Sequence, residues 1–236
     1  SILFYQRMGY LPEALVNYLG RMGWSMPDES EKFTLAQMQD AFDINRVSLG
    51  GPVFDVEKLS WLNGQWLREQ SDEQFLDTLL DWAYNRDYAM KIIPHLRQRV
   101  ETLSDVADKA AFCFNGMPAI NEASFEHKQY GAEDMKVWLQ YLLWAYEARN
   151  DWNRDGLFAD AKAIADTLDV KIKDFLFPAF VAIAGTSASF SVVDSMEIIG
   201  ADLSRARLRN AIEVLGGVSK KQMKKLEKAY RDLPVG

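Results

Sequence analysis

Apolar residues in this chain recur three and four positions apart, and the strict alternation of a half-buried strand is almost absent, so the pattern predicts an all-α protein. Pro12 suits the first turn of a helix whose stripe is Ala14, Leu15, Tyr18, Leu19 and Met22, closing at Gly23. Thr34 begins a capping box, T-L-A-Q, ahead of Leu35, Met38 and Phe42. After the turn Ser48-Leu49-Gly50-Gly51-Pro52, Asp55 is placed to cap a helix with Val56, Leu59, Leu62 and Trp66 on one face. Ser71 opens a second box before Phe75, Leu76, Leu79, Leu80 and Ala83. Ser104 starts a short helix expected to close near Asn115-Gly116. The clearest stripe is Met135, Trp138, Leu139, Leu142, Leu143 and Tyr146, and Leu157, Ala161, Ile164 and Leu168 repeat the design. Ser191 with Asp194 predicts a capped helix ending at Gly200, a helix from about Asp202 ends at Gly216-Gly217, and Ser219 with Gln222 caps the last one. No fixed repeat period is present, which disfavours a solenoid.

Composition narrows the function classes. At 236 residues, 48% apolar and 26% charged, the chain is neither disordered nor fibrous. No apolar run reaches about 18 residues, so no membrane span is expected. The lone Cys113 sits in an apolar run with Ala110, Ala111, Phe112 and Phe114, the setting of a reduced core thiol in a cytoplasmic protein. Two His and one Cys leave no zinc site. The net charge is -7, but residues 201 to 236 hold nine basic groups against four acids, a net of +5 that leaves -12 on the other 200 residues. That asymmetry is compatible with one nucleic-acid-facing end on an acidic body, while charge alone favours a solvated terminal helix with a lysine-rich face.

Catalytic signatures are missing. No GxxxxGK[ST], GxGxxG, GxSxG or HExxH occurs. Carboxylate pairs such as Glu133 with Asp134 fall at helix starts, where the dipole stabilises acids. His95 and His127 lie in separate segments with no Ser or Cys at useful spacing, which points to surface or capping roles. Lys58-Leu59-Ser60-Trp61 looks like the start of a class I synthetase phosphate loop, yet Leu59 and Leu62 fall on the buried face of a helix, where such a loop cannot work.

The run from Gly9-Tyr10-Leu11-Pro12 through Tyr18-Leu19, then Gly23-Trp24, Phe42-Asp43 and the block Arg46-Val47-Ser48-Leu49-Gly50-Gly51-Pro52 to Leu62-Asn63-Gly64, closely resembles bacterial glutamyl-tRNA synthetases. The resemblance continues more weakly through Arg97-Gln98-Arg99 and Met196-Glu197-Ile198-Ile199-Gly200. It implies an all-α, multihelical chain: a stem-contact helical segment at 1–68, a first anticodon-binding subdomain at 69–118 and a second at 119–236, packed as an α-helical cage. Together with the opening Ser1-Ile2-Leu3-Phe4-Tyr5, which carries neither Met nor signal-peptide features, it predicts a piece of a longer protein that lacks the nucleotide-binding fold. The expected partners are tRNA(Glu) and the catalytic domain of the same polypeptide, in a cytoplasmic monomer with no membrane role. ATP and Mg2+ are expected only in that catalytic domain, with no cofactor and no catalytic residue in this chain.

For the stem contact the resemblance implies Arg46, Ser48, Lys58 and Asn63, polar groups beside the Gly-Gly-Pro turn; interdomain packing is the competing reading. For the anticodon it implies Arg97 and Arg99, with Arg99 sensing the third base: a guanidinium fork suits the O2 and N3 acceptors of cytosine. In this family an arginine there goes with charging glutamate tRNA alone. The other two bases are expected at the segment from Phe180 to Val192, through Ser187 and Ser189, with Arg205, Arg207 and Arg209 on phosphates. Phe190 is a candidate stacking platform, while Phe180, where the family usually has a basic residue nearby, reads as core. A helical protein-interaction module with no nucleic-acid role is the alternative from a different class.

Overall fold

The structure, a computed structural model, describes residues 1–186 and 190–235. Among these, thirteen α-helices and three short 3-10 helices account for the regular structure, with no strand. Contacts divide the chain into two compact units, Ser1–Asn85 and Arg86–Gly236.

The first unit carries α1 (Ile2–Arg7), α2 (Pro12–Arg21), α3 (Leu35–Ala41), α4 (Val56–Arg68) and α5 (Asp72–Trp82). Pro12 occupies the first turn of α2, and Thr34 and Ser71 close the expected capping boxes of α3 and α5. Its core joins α2 to α4 through Tyr18, Leu59 and Leu62, with Tyr5, Tyr10, Leu15, Met22 and Trp66 packed around them. Asp55 caps α4 by accepting from the Lys58 amide at 3.1 Å, and its own amide donates to Tyr18 Oη at 2.6 Å. Trp82 fixes α5 to the first turn: Nε1 donates to Arg7 O at 3.2 Å. The same ring lies against Gly9, whose φ of +84° disfavours any side chain.

The second unit holds α6 (Arg86–Leu96), α7 (Asp105–Ala110), α8 (Ala132–Ala148), α9 (Arg154–Thr167), α10 (Ile172–Ala184), α11 (Val192–Ile199), α12 (Ala201–Val214) and α13 (Lys220–Tyr230). The stripe read on α8 is buried throughout, from Met135 to Tyr146, and packs on α12, α9 and α10. Cys113 is buried as well. Gly200, at φ +86°, ends α11 and starts α12, so the chain turns a corner that a side chain would strain.

Three readings of the pattern need correction. It assigns no helix to 86–96 or 172–184, both of which are helical across an internal proline, Pro94 and Pro178. Ser191 makes no side-chain cap; its carbonyl instead accepts from Ser195 Oγ at 3.0 Å, and Asp194 turns to Arg154. Ser104 does open α7, but the α-helix ends at Ala110 and gives way to the 3-10 turn Ala111–Cys113, and the turn before α7 is held by Asp105, which accepts from the amides of Glu101 and Thr102.

Candidate nucleic-acid interface

In the first unit two of the candidates, Arg46 and Ser48, hold the loop from Gly23 to Met26. Arg46 is exposed at the end of a 3-10 turn and donates from Nε to Ser25 O at 3.2 Å and from Nη2 to Met26 O at 3.1 Å. The Ser48 amide donates to Gly23 O at 2.8 Å, while its hydroxyl accepts from the Gly50 amide at 3.3 Å. The Gly-Gly-Pro turn is thereby pinned with two exposed polar side chains beside it. Lys58 is half-buried: Nζ bonds both Glu31 carboxylate oxygens at 2.8 Å and stands 4.1 Å from the Trp61 ring centroid. Glu31 also receives Arg21 at 2.7 Å, and these cations, Lys58 foremost, hold its carboxyl below the usual range. A phosphate at Lys58 therefore competes with Glu31. Asn63 must be corrected. It is buried at 8% exposure, and its Oδ1 accepts from the Leu11 amide at 2.8 Å, at the start of a helix that has no side-chain cap of its own.

In the second unit the arginines divide sharply. Arg97 and Arg99 follow α6 and are exposed. Arg99 Nη1 donates to His95 O at 2.8 Å, a helix-end carbonyl that attracts a cation. His95 is then a link rather than a bystander: its ring lies flat on Phe190, 5.7 Å away at 16°, and its Nδ1 is 3.7 Å from Asp194, which Arg154 pairs at 2.9 Å. Arg99 is in this way tied to the segment that starts at Phe190. Ser187 and Ser189, just before it, lie outside the described residues. Phe190 itself is 1% exposed and packed on Phe112 at 5.0 Å, so it is a core residue and offers no face to a base. Phe180 is half-buried.

The three arginines of α12 are all engaged by other parts of the protein, although only Arg207 is buried and Arg209 is exposed. Arg205 donates to Tyr146 O from Nε at 3.0 Å and Nη2 at 2.6 Å, and to Arg149 O at 3.2 Å, closing the C-terminus of α8. Arg209 pairs Glu147 at the same helix end. Arg207 is fully buried and bonds four carbonyls: Gly116 at 2.9 Å, Phe112 at 2.8 Å, Asn115 at 2.6 Å, and Ile183. Those carbonyls end the 3-10 helix Ala111–Cys113 and α10, so the guanidinium sits between two negative helix ends that replace its hydration. The expected phosphate contact at Arg207 is corrected on this ground, because reaching solvent would leave four carbonyls unpaired. Sequence reasoning missed this hub, although Leu203, Arg207, Leu208, Ala211 and Ile212 share one helical face and mark it.

Among the described residues no group of three His, Cys, Asp or Glu is arranged around a metal position, and no helix is long and apolar enough to cross a membrane. Burial pushes the Tyr146 hydroxyl far up, and its proton is held by Leu157 O at 2.9 Å, a structural use.

Comparison with known proteins gives this geometry a context. A family model described as an anticodon binding domain matches residues 74–212, and one described as the catalytic domain of class I tRNA synthetases (E and Q) matches residues 1–61. The chain is 91% identical over all its 236 residues to a glutamate–tRNA ligase of Alcanivorax borkumensis and 56% identical over the same span to one of Marinobacter nauticus, in each case covering 48% of the relative. It thus spans about half the length of the curated relatives it matches. Among solved structures, a glutamate tRNA ligase from Elizabethkingia meningosepticum aligns with a TM-score of 0.51 at 27% identity, over 89% of this chain and 43% of that one.

Proposed function

The chain belongs to the anticodon binding domain family, and we propose that it is the tRNA-binding part of a glutamate–tRNA ligase, the class I aminoacyl-tRNA synthetase that attaches glutamate to tRNA(Glu) using ATP. The observation that carries this reading is the exposed pair Arg97 and Arg99 at the end of α6, inside the span matched by the anticodon model and braced through His95 on the Phe190 segment. Arg99 presents a fork of donors that suits the O2 and N3 edge of a cytosine in the third anticodon position.

In this proposal residues 1–68 contact the tRNA stem through Arg46, Ser48 and Lys58, and residues 69–118 and 119–236 form the two anticodon-binding subdomains. Ser187 and Ser189 are proposed to bond base edges, and the solvent-facing side of Arg209 a phosphate. Binding energy collected here, remote from the reacting atoms, raises the rate at a catalytic domain elsewhere in the polypeptide. ATP and Mg2+ are proposed to bind in that domain. The protein is proposed to work in the cytoplasm as a monomer.

A binding titration of this chain with glutamate and glutamine tRNA transcripts and their anticodon variants tests the reading. Preference for the glutamate transcript, weakened by changing its third anticodon base, is expected. Equal binding of every transcript contradicts the anticodon role, and no binding at all favours a protein-interaction module.

A further inference from the structure

The basic C-terminal stretch divides into used and unused charge. Of its nine cations, the three arginines of α12 are tied to carbonyls or to Glu147. The other six, Lys220, Lys221, Lys224, Lys225, Lys228 and Arg231, lie on α13 and its C-cap, and all are exposed. Among the described residues none of the six forms an ion pair. At 3.6 residues per turn they cover an arc of roughly 140° on the helix. Met223, Leu226 and Tyr230 occupy the opposite side and are half-buried. Tyr230 packs on α8, its ring 5.2 Å from Trp144 and 5.8 Å from Tyr141, and burial pushes its hydroxyl up to about 12.

Two consequences follow from this placement. The apolar stripe is already covered by protein, so α13 has no face left to sink into a lipid surface, as an interfacial amphipathic helix must. The lysine face also carries a standing repulsion: Lys220 with Lys224, Lys221 with Lys225 and Lys224 with Lys228 are like-charge neighbours one turn apart. A face kept only for solubility mixes signs, whereas this arc gathers six cations, with Glu227 alone at its edge, on a chain that is acidic elsewhere.

We propose that the lysine face of α13 docks the phosphate backbone of double-helical RNA, such as a tRNA stem. The inference rests on the tRNA-binding reading above and adds to it a surface that positions RNA without reading it. Lysine ammonium groups are point charges on flexible stems, with none of the planar fork that selects a base edge. The helix's one aromatic residue, Tyr230, is packed on α8, so the stacking platform that single-stranded RNA needs is absent from this face.

The test compares the chain with its Lys221→Gln, Lys224→Gln, Lys225→Gln, Lys228→Gln variant, and with the matching four Lys→Arg changes, by titrating tRNA(Glu) between 50 and 200 mM KCl. Loss of four phosphate contacts is expected to make the slope of log K against log salt shallower by about 3. The affinity loss is expected to be the same factor for tRNA(Glu) and for its third-base anticodon variant, and the Arg variant is expected to keep the parent slope. An unchanged slope in the Gln variant while the parent binds tRNA overturns the α13 surface alone. Absence of tRNA binding by the parent overturns both this surface and the function it rests on. A loss confined to one anticodon, or parent binding to phosphatidylserine vesicles that exceeds binding to tRNA, overturns the backbone assignment.

Discussion

Helices α12 and α13 follow each other in the chain and are both rich in cations, yet they use their charge in opposite ways. On α12 the arginines fall in or beside the buried stripe, and each finds a helix end: Arg205 and Arg209 at the end of α8, Arg207 at the end of α10. On α13 the lysines fall opposite the stripe and remain in water. Residue chemistry reinforces the split, since a weakly hydrated guanidinium satisfies several carbonyls at once while an ammonium keeps its water. Counting charge along a segment therefore does not tell how much of it can meet a ligand; its phase relative to the apolar stripe does.

That comparison can be broken most forcefully at Arg207. Replacement by Met removes the donor from four carbonyls, those of Phe112 and Ile183 buried and those of Asn115 and Gly116 partly so, and is expected to cost about 3–5 kcal/mol, read by urea unfolding. The four Lys→Gln changes on α13 should stay within about 0.5 kcal/mol in the same assay. A mild Arg207→Met phenotype would erase the distinction between the helices. Arg205→Ala should fall between them, at about 1–2 kcal/mol, because it strips the Tyr146 carbonyl of two bonds and removes a cation 5.1 Å from the Trp152 ring centroid.

A smaller effect than at Arg205 belongs to Lys58 and Glu31, a partly exposed ion pair that stands between the two extremes. Because its cations lower the Glu31 carboxyl in the folded state, the stabilisation is complete above the ordinary carboxylate value and fades as pH falls through the lowered one. Stability measured from pH 6 down to 3 should drop less steeply in Glu31→Gln than in the parent. With Glu31 at 42% exposure the difference is expected to stay under about 1 kcal/mol and to shrink in salt.

Much of the fold was legible because local signals agreed. The capping boxes at Thr34, Ser71 and Ser219 and the stripe on α8 specify their helices without tertiary help. Helices α6 and α10 were not assigned from the pattern, and each carries an internal proline, Pro94 and Pro178; packing of Phe175, Ala179 and Ala182 outweighs the hydrogen bond that Pro178 removes. The site was legible only in part. Arg99 is exposed after α6, as a base-reading residue must be, whereas Asn63 and Arg207 were nominated for their polarity and are buried. The phase was present in the sequence: Asn63 follows Leu59 and Leu62 on one face, as Arg207 accompanies Leu203 and Leu208. The bracing of Arg99 by His95, Phe190 and Asp194 joins residues about a hundred positions apart and had no local signal.

The central claim is that the exposed Arg99 after α6, and not the buried Arg207 of α12, reads the third anticodon base. The most direct measurement is a double-mutant cycle: parent and Arg99→Ala, each titrated with tRNA(Glu) and with a transcript altered at the third anticodon base. A coupling of about 1–3 kcal/mol is predicted, with the parent discriminating between the transcripts and the variant binding both alike. Discrimination that survives intact in Arg99→Ala would contradict the account.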